Sequence, residues 1–290
     1  RRPMLDRLFV AFQYLLPKYA LTAAIWHVAR IRSTWFKNLL IRRFIGYFGV
    51  DVDDVKKPIP DGFENFNAFF VRELVDGARP IDSDTTSIVS PVDGTVSAAG
   101  RIRRNRLLQA KGLDYSIPDL LATDTSTADS FTDGHFATIY LAPYNYHRVH
   151  SPWKGELVAA RYVPGDLYSV NQATATHVPG VFRRNGRLVM HFRTVVGPAV
   201  LVFVGALNVG SITTPWTGEI RPRKTAIVDA LDMTGHPVDA ERGALLGWFN
   251  MGTTVVMLMP RGSVAWQRRM DGGQVVRMGE AIGRQLAEAP

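Results

Sequence analysis

The hydropathy pattern changes its period at about residue 50, and this limits the fold more than any other feature of the chain. Before that point, apolar residues recur at helical spacing. Met4, Leu5, Leu8, Phe9, Phe12, Leu15 and Leu16 mark one helix, and Pro17 ends it. Ile25, Trp26, Val28, Ile31, Trp35 and Phe36 continue the pattern, and Leu39 through Phe48 makes a third helix. Residues 51–62 form a polar connector with Pro58 and Pro60, and residues 63–70 open a short helix. Beyond residue 87 the chain reads as strands, expected at 88–89, 95–97, 136–141, 155–163, 187–194, 199–209, 255–259 and 275–276. Turn pairs such as Asp93-Gly94, Pro164-Gly165, Asn185-Gly186 and Gly272-Gly273 separate them. Only short helices fit between, near 117–122 and 169–175. The expectation is an α+β, β-rich fold, with a barrel-like or sandwich body under an N-terminal layer of amphipathic helices. With 290 residues, such a body buries a substantial core.

Charge divides at the same place. Residues 1–50 hold nine Lys and Arg and one acid, Asp6, a net of 9 − 1 = +8. The whole chain also carries +8, so the remaining residues balance, with 25 basic and 25 acidic side chains. The excess belongs to one segment and marks a docking surface, not a generally basic protein. No uninterrupted apolar run there approaches the roughly 18 residues needed to span a bilayer. Basic residues interleaved with Trp, Phe and Leu point to helices lying on an anionic interface. The plainer alternative is a helical layer over the core with a solvated basic face. The rest of the chain has no basic stripe, which argues against a nucleic-acid partner. Asp6, Arg7 and Lys18 interrupt any secretory h-region. Zero cysteines exclude disulfides, thiolate metal sites and a Cys nucleophile.

The chemistry-bearing segments are few. Phe249-Asn250-Met251-Gly252-Thr253-Thr254 runs into the apolar stretch Val255 to Met259. A Gly followed by a hydroxyl residue at the mouth of a buried strand is where a chain can cut itself, the hydroxyl attacking the preceding carbonyl. Ser211, after Val209-Gly210, is a second candidate hydroxyl, and the residues alone do not choose between it and Thr253. His147 and His150 lie three apart in Tyr146-His147-Arg148-Val149-His150. A metal site would need a third ligand, and no Cys or nearby Glu offers one, so no metal is expected. A polar turn holding one satisfied histidine is the plainer reading of that pair. Asp93, at the tip of Ser90-Pro91-Val92-Asp93-Gly94, suits a turn. It gains a role if it meets a histidine in space, because a buried carboxylate fixes an imidazole tautomer and raises its basicity. Gly272 to Glu280 resembles a hairpin of lipoyl- or biotinyl-type carriers, but the Met-Lys-Met-type turn that would bear the prosthetic group is absent.

Taken together, the segments resemble the bacterial phosphatidylserine decarboxylases, the pyruvoyl-dependent proenzyme type. The resemblance covers nearly the whole chain. It rests on Phe66-Asn67-Ala68-Phe69-Phe70-Val71-Arg72 with Arg79-Pro80-Ile81-Asp82, on Ser90 to Gly94, and on Leu108-Gln109-Ala110-Lys111-Gly112. It continues through Tyr146 to His150, Tyr162 to Asn171, Val204-Gly205-Ala206 and Val209-Gly210-Ser211-Ile212.

The resemblance implies a proenzyme that cleaves itself between Gly and Ser of a Leu-Gly-Ser-Thr motif, the Ser becoming an N-terminal pyruvoyl group. The matching residues here are Met251, Gly252, Thr253 and Thr254. It further implies Asp93 and His150 as acid and base of the self-cleavage triad, and His147 in decarboxylation or substrate holding. Tyr140 and Tyr168 are assigned with His147 to substrate binding. Cleavage would divide the chain into fragments 1–252 and 253–290, a heterodimer of its own pieces, and the family leads one to expect a homodimer. The implied activity is decarboxylation of phosphatidylserine to phosphatidylethanolamine through a Schiff base to the 2-oxoacyl group. Residues 1–50 would be the membrane-associating segment, and 51–290 the catalytic domain, working peripherally at the cytoplasmic face of the bacterial cell membrane.

Position 253 departs from the family motif. Thr can perform the N→O shift, but its β-methyl restricts χ1 and crowds the attack. Processing would leave 2-oxobutyryl in place of pyruvoyl. The alternative is an unprocessed or impaired member, natural or engineered, that binds lipid without turnover.

Overall fold

The computed structural model describes residues 3–110, 113–208, 211–225, 227–231, 238–267, 270 and 272–286. Lys111, Gly112, Val209 and Gly210 of the motifs above lie outside the described residues. Three helices open the chain: α1 (Pro3–Leu15), α2 (Lys18–Ala29) and α3 (Thr34–Phe48). Pro17 cannot supply the backbone N–H that a continuous helix needs, and α1 and α2 meet there at 91°. Among the described residues no single helix is long and apolar enough to cross a membrane. Gly49, left-handed at φ 63°, closes α3.

The layer is fixed to the body by specific bonds. Gln13 of α1 is fully buried; its Nε2 donates to Thr174 Oγ1 (3.0 Å) and its Oε1 accepts from Ser169 N (2.8 Å). In α2, Trp26 Nε1 and Arg30 Nη2 both donate to Glu219 Oε1 (2.8 and 2.6 Å). The short helix α4 (Phe66–Phe70) is capped by Asn65, whose side chain accepts from Ala68 N at 2.9 Å. Phe44 of α3 packs on Phe66, Phe69 and Phe70 with ring centroids 5.1, 6.4 and 5.9 Å apart. This phenylalanine cluster also takes in Ile41, Phe63 and Met251. The helical layer therefore packs against the residue two before Thr253.

Among the described residues, nine antiparallel strands make the central sheet. Its order is Asp229–Leu231, Gly155–Val163, Arg187–Thr194, Gly197–Val204, Thr254–Met259, His135–Tyr140, Gly94–Arg101 and Val275–Val276, with Val238–Ala240 also on Gly155–Val163. Among the described residues its two ends do not pair, so the β-rich body that the sequence leads one to expect, barrel-like or sandwich, holds an open sheet with smaller sheets and no closed barrel. A second sheet runs Gly218–Ile220, Ser211–Thr214, Leu245–Asn250, Arg148–His150. Thr254–Met259 is buried at every residue between two partner strands, the expected place for an uninterrupted apolar run. By strand alternation Val255, Met257 and Met259 enter one core cluster, and Val256 and Leu258 the other.

Candidate active site

The link from the second sheet to the central one is Met251-Gly252-Thr253. Met251 is left-handed, φ 72°, which costs a non-glycine residue about 1 kcal/mol. A Cβ on Gly252 would stand 1.9 Å from Phe249 Cβ, so no other residue fits there. Asn250 holds the strand end. Its Nδ2 donates to Ser211 Oγ and Thr213 Oγ1, each at 2.8 Å, and its Oδ1 accepts from Asn67 Nδ2 at 2.9 Å. On the far side, Leu141 N donates to Thr253 O at 2.6 Å. The Thr253 hydroxyl oxygen is buried and has no hydrogen-bond partner. Buried hydroxyls are nearly always bonded, so a bare Oγ1 beside a pinned, strained peptide calls for a chemical reason. Ser211 contrasts with it: its hydroxyl donates to Glu219 and accepts from Asn250. That bonding makes Ser211 a strand link, whereas the Thr253 hydroxyl is unbonded.

His147 is brought to this peptide by the pairing of Leu245–Asn250 with Arg148–His150, its carbonyl accepting from Phe249 N at 3.1 Å. Its ring stacks on Phe70 at 4.0 Å. Nε2 lies 3.4 Å from Pro143 O. Nδ1 has no partner. Burial, then the Arg72 charge, lower its pKa to about 3 against the pull of the Pro143, Ala142 and Gly252 backbone carbonyls. His147 is therefore neutral at pH 7, an N–H donor on its carbonyl side with a bare lone pair at Nδ1.

His150 is held differently. Its Nδ1 lies 2.8 Å from Gly243 O, and a carbonyl only accepts, so Nδ1 carries the proton. Nε2 then accepts from Tyr146 Oη at 3.0 Å. Gly243 can present that carbonyl because it sits at φ 84° with Ile81 only 2.7 Å from where a Cβ would be. Burial lowers the His150 pKa; the Gly243 carbonyl raises it, Arg148 lowers it and Asp93 raises it, in decreasing order. The basic nitrogen of a neutral His150 is thus Nε2.

Asp93 does not hydrogen-bond to His150. Both its oxygens are taken by Arg79, Nε at 3.0 Å from each and Nη2 at 2.7 Å from Oδ2, and Oδ1 also accepts from Met278 N at 2.8 Å. Arg79 continues to Asp54 Oδ2 at 3.0 Å. The triad expected from the sequence is corrected on this point: Asp93 acts on His150 through space, and Gly243 O, not Asp93, fixes the tautomer. Tyr168 is also not joined to His147. Its ring lies under Lys18 Nζ (3.9 Å) and beside Tyr14 (5.2 Å), with Arg184 Nη2 3.2 Å from its hydroxyl. Tyr140 pairs in register with Thr254 and packs on the same core cluster as Tyr168. Among the described residues no group of three or more His, Asp or Glu side chains converges as a metal site requires.

Asn67, Asn250, Arg72, Arg79 and Tyr146 also belong to the site, and the sequence alone does not mark them as such. Arg79 meets its partner 14 residues away and Asn67 meets its partner 183 residues away, and no spacing rule reaches so far. Only Tyr146, four residues from His150, carried a local signal.

The chain is similar to known proteins along almost all of its length. The family described as Phosphatidylserine decarboxylase matches residues 66–284, and a second, described as PSD, matches residues 8–49. The phosphatidylserine decarboxylase proenzyme of Alcanivorax borkumensis is 44% identical over 279 residues, 96% of each chain. That of Azotobacter vinelandii is 45% identical over 283 residues, 97% of this chain and 99% of its own. That of Pseudomonas fluorescens is 43% identical over 288 residues, 99% of this chain and 100% of its own.

Proposed function

Because the chain belongs to the phosphatidylserine decarboxylase family, we propose that it decarboxylates phosphatidylserine to phosphatidylethanolamine after cutting itself between Gly252 and Thr253. The single observation that carries the self-cleavage is the buried, unpartnered Thr253 hydroxyl beside Gly252. Thr253 Oγ1 attacks the Gly252 carbonyl carbon, and His150 Nε2 takes its proton once the Tyr146 hydroxyl lets go. The neutral His147 N–H is the proposed donor to the oxygen on which charge develops. Loss of the Thr253 α-proton then breaks the Oγ1–Cβ bond and frees a Gly252 carboxylate. The dehydro residue takes up water and loses ammonia, leaving a 2-oxobutyryl end.

The residues present fit such a group, since a hydroxyl amino acid stands at position 253 in a site that already shelters its oxygen. Once formed, the 2-oxobutyryl group supplies the sink for the electron pair released with CO₂. The chain's own part is to hold the lipid and manage protons. His147, neutral and stacked on Phe70, is the proposed donor to the substrate α-carbon. Tyr140 and Tyr168 are proposed to support the substrate from the helical side. Lipid binding without turnover is not favoured, because relatives along the full length are decarboxylase proenzymes.

We further propose that α1, α2 and α3 rest on the anionic cytoplasmic leaflet of the cell membrane. Leu8, Phe12, Leu15, Trp35 and Tyr47 are exposed on them, among the basic residues of the segment. The cleaved fragments stay together, because Thr254–Met259 is locked between two strands of the larger fragment. Self-association of two such heterodimers is proposed on family grounds. The test is CO₂ release from carboxyl-labelled phosphatidylserine in vesicles. Turnover that follows the cleaved fraction supports the reading, and cleaved protein without turnover refutes it.

A further inference from the structure

We infer that Arg72 binds the carboxylate that self-cleavage creates at Gly252, holding the new chain end out of the catalytic position. The inference rests on the proposed cleavage. Arg72 follows α4 and is only 3% exposed. Its Nη2 donates to Tyr144 O and Asn145 O (3.0 and 3.3 Å), while Nε and Nη1, which carry three of its five N–H groups, have no acceptor. Among the described residues no other Lys or Arg nitrogen is buried without a partner. Burial lowers its pKa, but only to about 10, so the guanidinium remains charged at neutral pH. The acids acting on it, Asp93 and Asp51, do so through space, and Asp93 is already held by Arg79 and Met278 N.

The uncleaved chain thus holds a buried cation without an anion. Cleavage supplies the complement. Gly252 is buried, and when the Oγ1–Cβ bond breaks it leaves with both oxygens and a full negative charge. A buried carboxylate without a cation is unstable. His147 connects the two: its ring stacks on Phe70, two residues before Arg72, and its carbonyl accepts from Phe249 N, three residues before Gly252. The substrate carboxylate suits Arg72 less well, because a cation there would stabilise the ground state of a reaction that discharges that group.

The experiment is carboxypeptidase digestion of the matured full chain, read by intact mass of the larger fragment, in the parent, Arg72→Gln and Arg72→Lys. The expected result is a parent end that persists at Gly252, trimming roughly tenfold faster in Arg72→Gln, and intermediate trimming in Arg72→Lys. Equal resistance in parent and Arg72→Gln overturns the inference. A raised KM for phosphatidylserine in that case assigns Arg72 to the lipid phosphate instead. Equal acceleration in both variants marks a fold defect and also overturns it. A parent that stays in one piece overturns the inference together with the self-cleavage on which it rests, so the two failures are distinct.

Discussion

Arg79 grips both carboxylate oxygens of Asp93, Nη2 at 2.7 Å from Oδ2 and Nε at 3.0 Å from each. Both side chains are largely buried. Removing Arg79 alone strands a carboxylate inside, so Arg79→Leu is expected to cost about 3 kcal/mol in denaturant unfolding. The double variant Arg79→Leu/Asp93→Leu should recover part of that loss, because no charge is left unpaired. Strictly additive losses would show that the pair is not coupled.

Tyr146 occupies the lone pair that His150 needs as a base. Breaking one neutral hydrogen bond costs about 1 kcal/mol, so Tyr146→Phe should quicken self-cleavage roughly fivefold, followed on gels from a fresh unfolded–refolded sample. Slower cleavage would mean that the hydroxyl carries the proton from Thr253 to His150.

His147 is neutral in the fold, with a pKa near 3, against an ordinary value of 6.5. The folded pKa is depressed, so the unfolded chain binds the extra proton first as pH falls. The stability associated with a neutral His147 is complete above pH 6.5 and drains away between pH 6.5 and about 3. His147→Gln should reduce the slope of unfolding free energy against pH by about 1.4 kcal/mol per unit inside that window. The residual slope contains His191, whose pKa burial lowers to about 4. An unchanged slope would place His147 in contact with water.

Leu15 and Trp35 are 83% and 74% exposed on the helical layer. Leu15→Ser with Trp35→Ser should weaken binding to vesicles containing anionic lipid by roughly tenfold or more, the effect of losing two buried apolar side chains. Binding of the parent should fall as salt rises. Salt-independent binding that ignores both substitutions would remove the membrane role of this face.

Much of the frame was legible in the sequence. Gly155–Val163 and Arg187–Thr194 lie at their expected bounds because long strands closed by turn pairs carry their own signal. Val255 to Met259 was legible because a short apolar run fits a central strand. Leu245–Asn250 was not expected, since Gly247 interrupts its pattern, yet it delivers Gly252 to the site. Strands of three residues such as Gly218–Ile220 are too short to show a period. Openness of the sheet depends on which edges pair, and pairing between distant segments leaves no local mark. The resemblance supplied Asp93, His147 and His150, but not that Arg79, Phe70 and Tyr146 are their partners.

The central claim is that this chain converts its own Thr253 into a 2-oxoacyl end. Intact mass of the denatured protein after prolonged incubation tests it most directly. Fragments 1–252 and 253–290 are expected, the smaller bearing 2-oxobutyryl, one methylene heavier than the pyruvoyl end expected from Thr253→Ser. A single uncleaved chain in the parent, indistinguishable from Thr253→Ala, would contradict it.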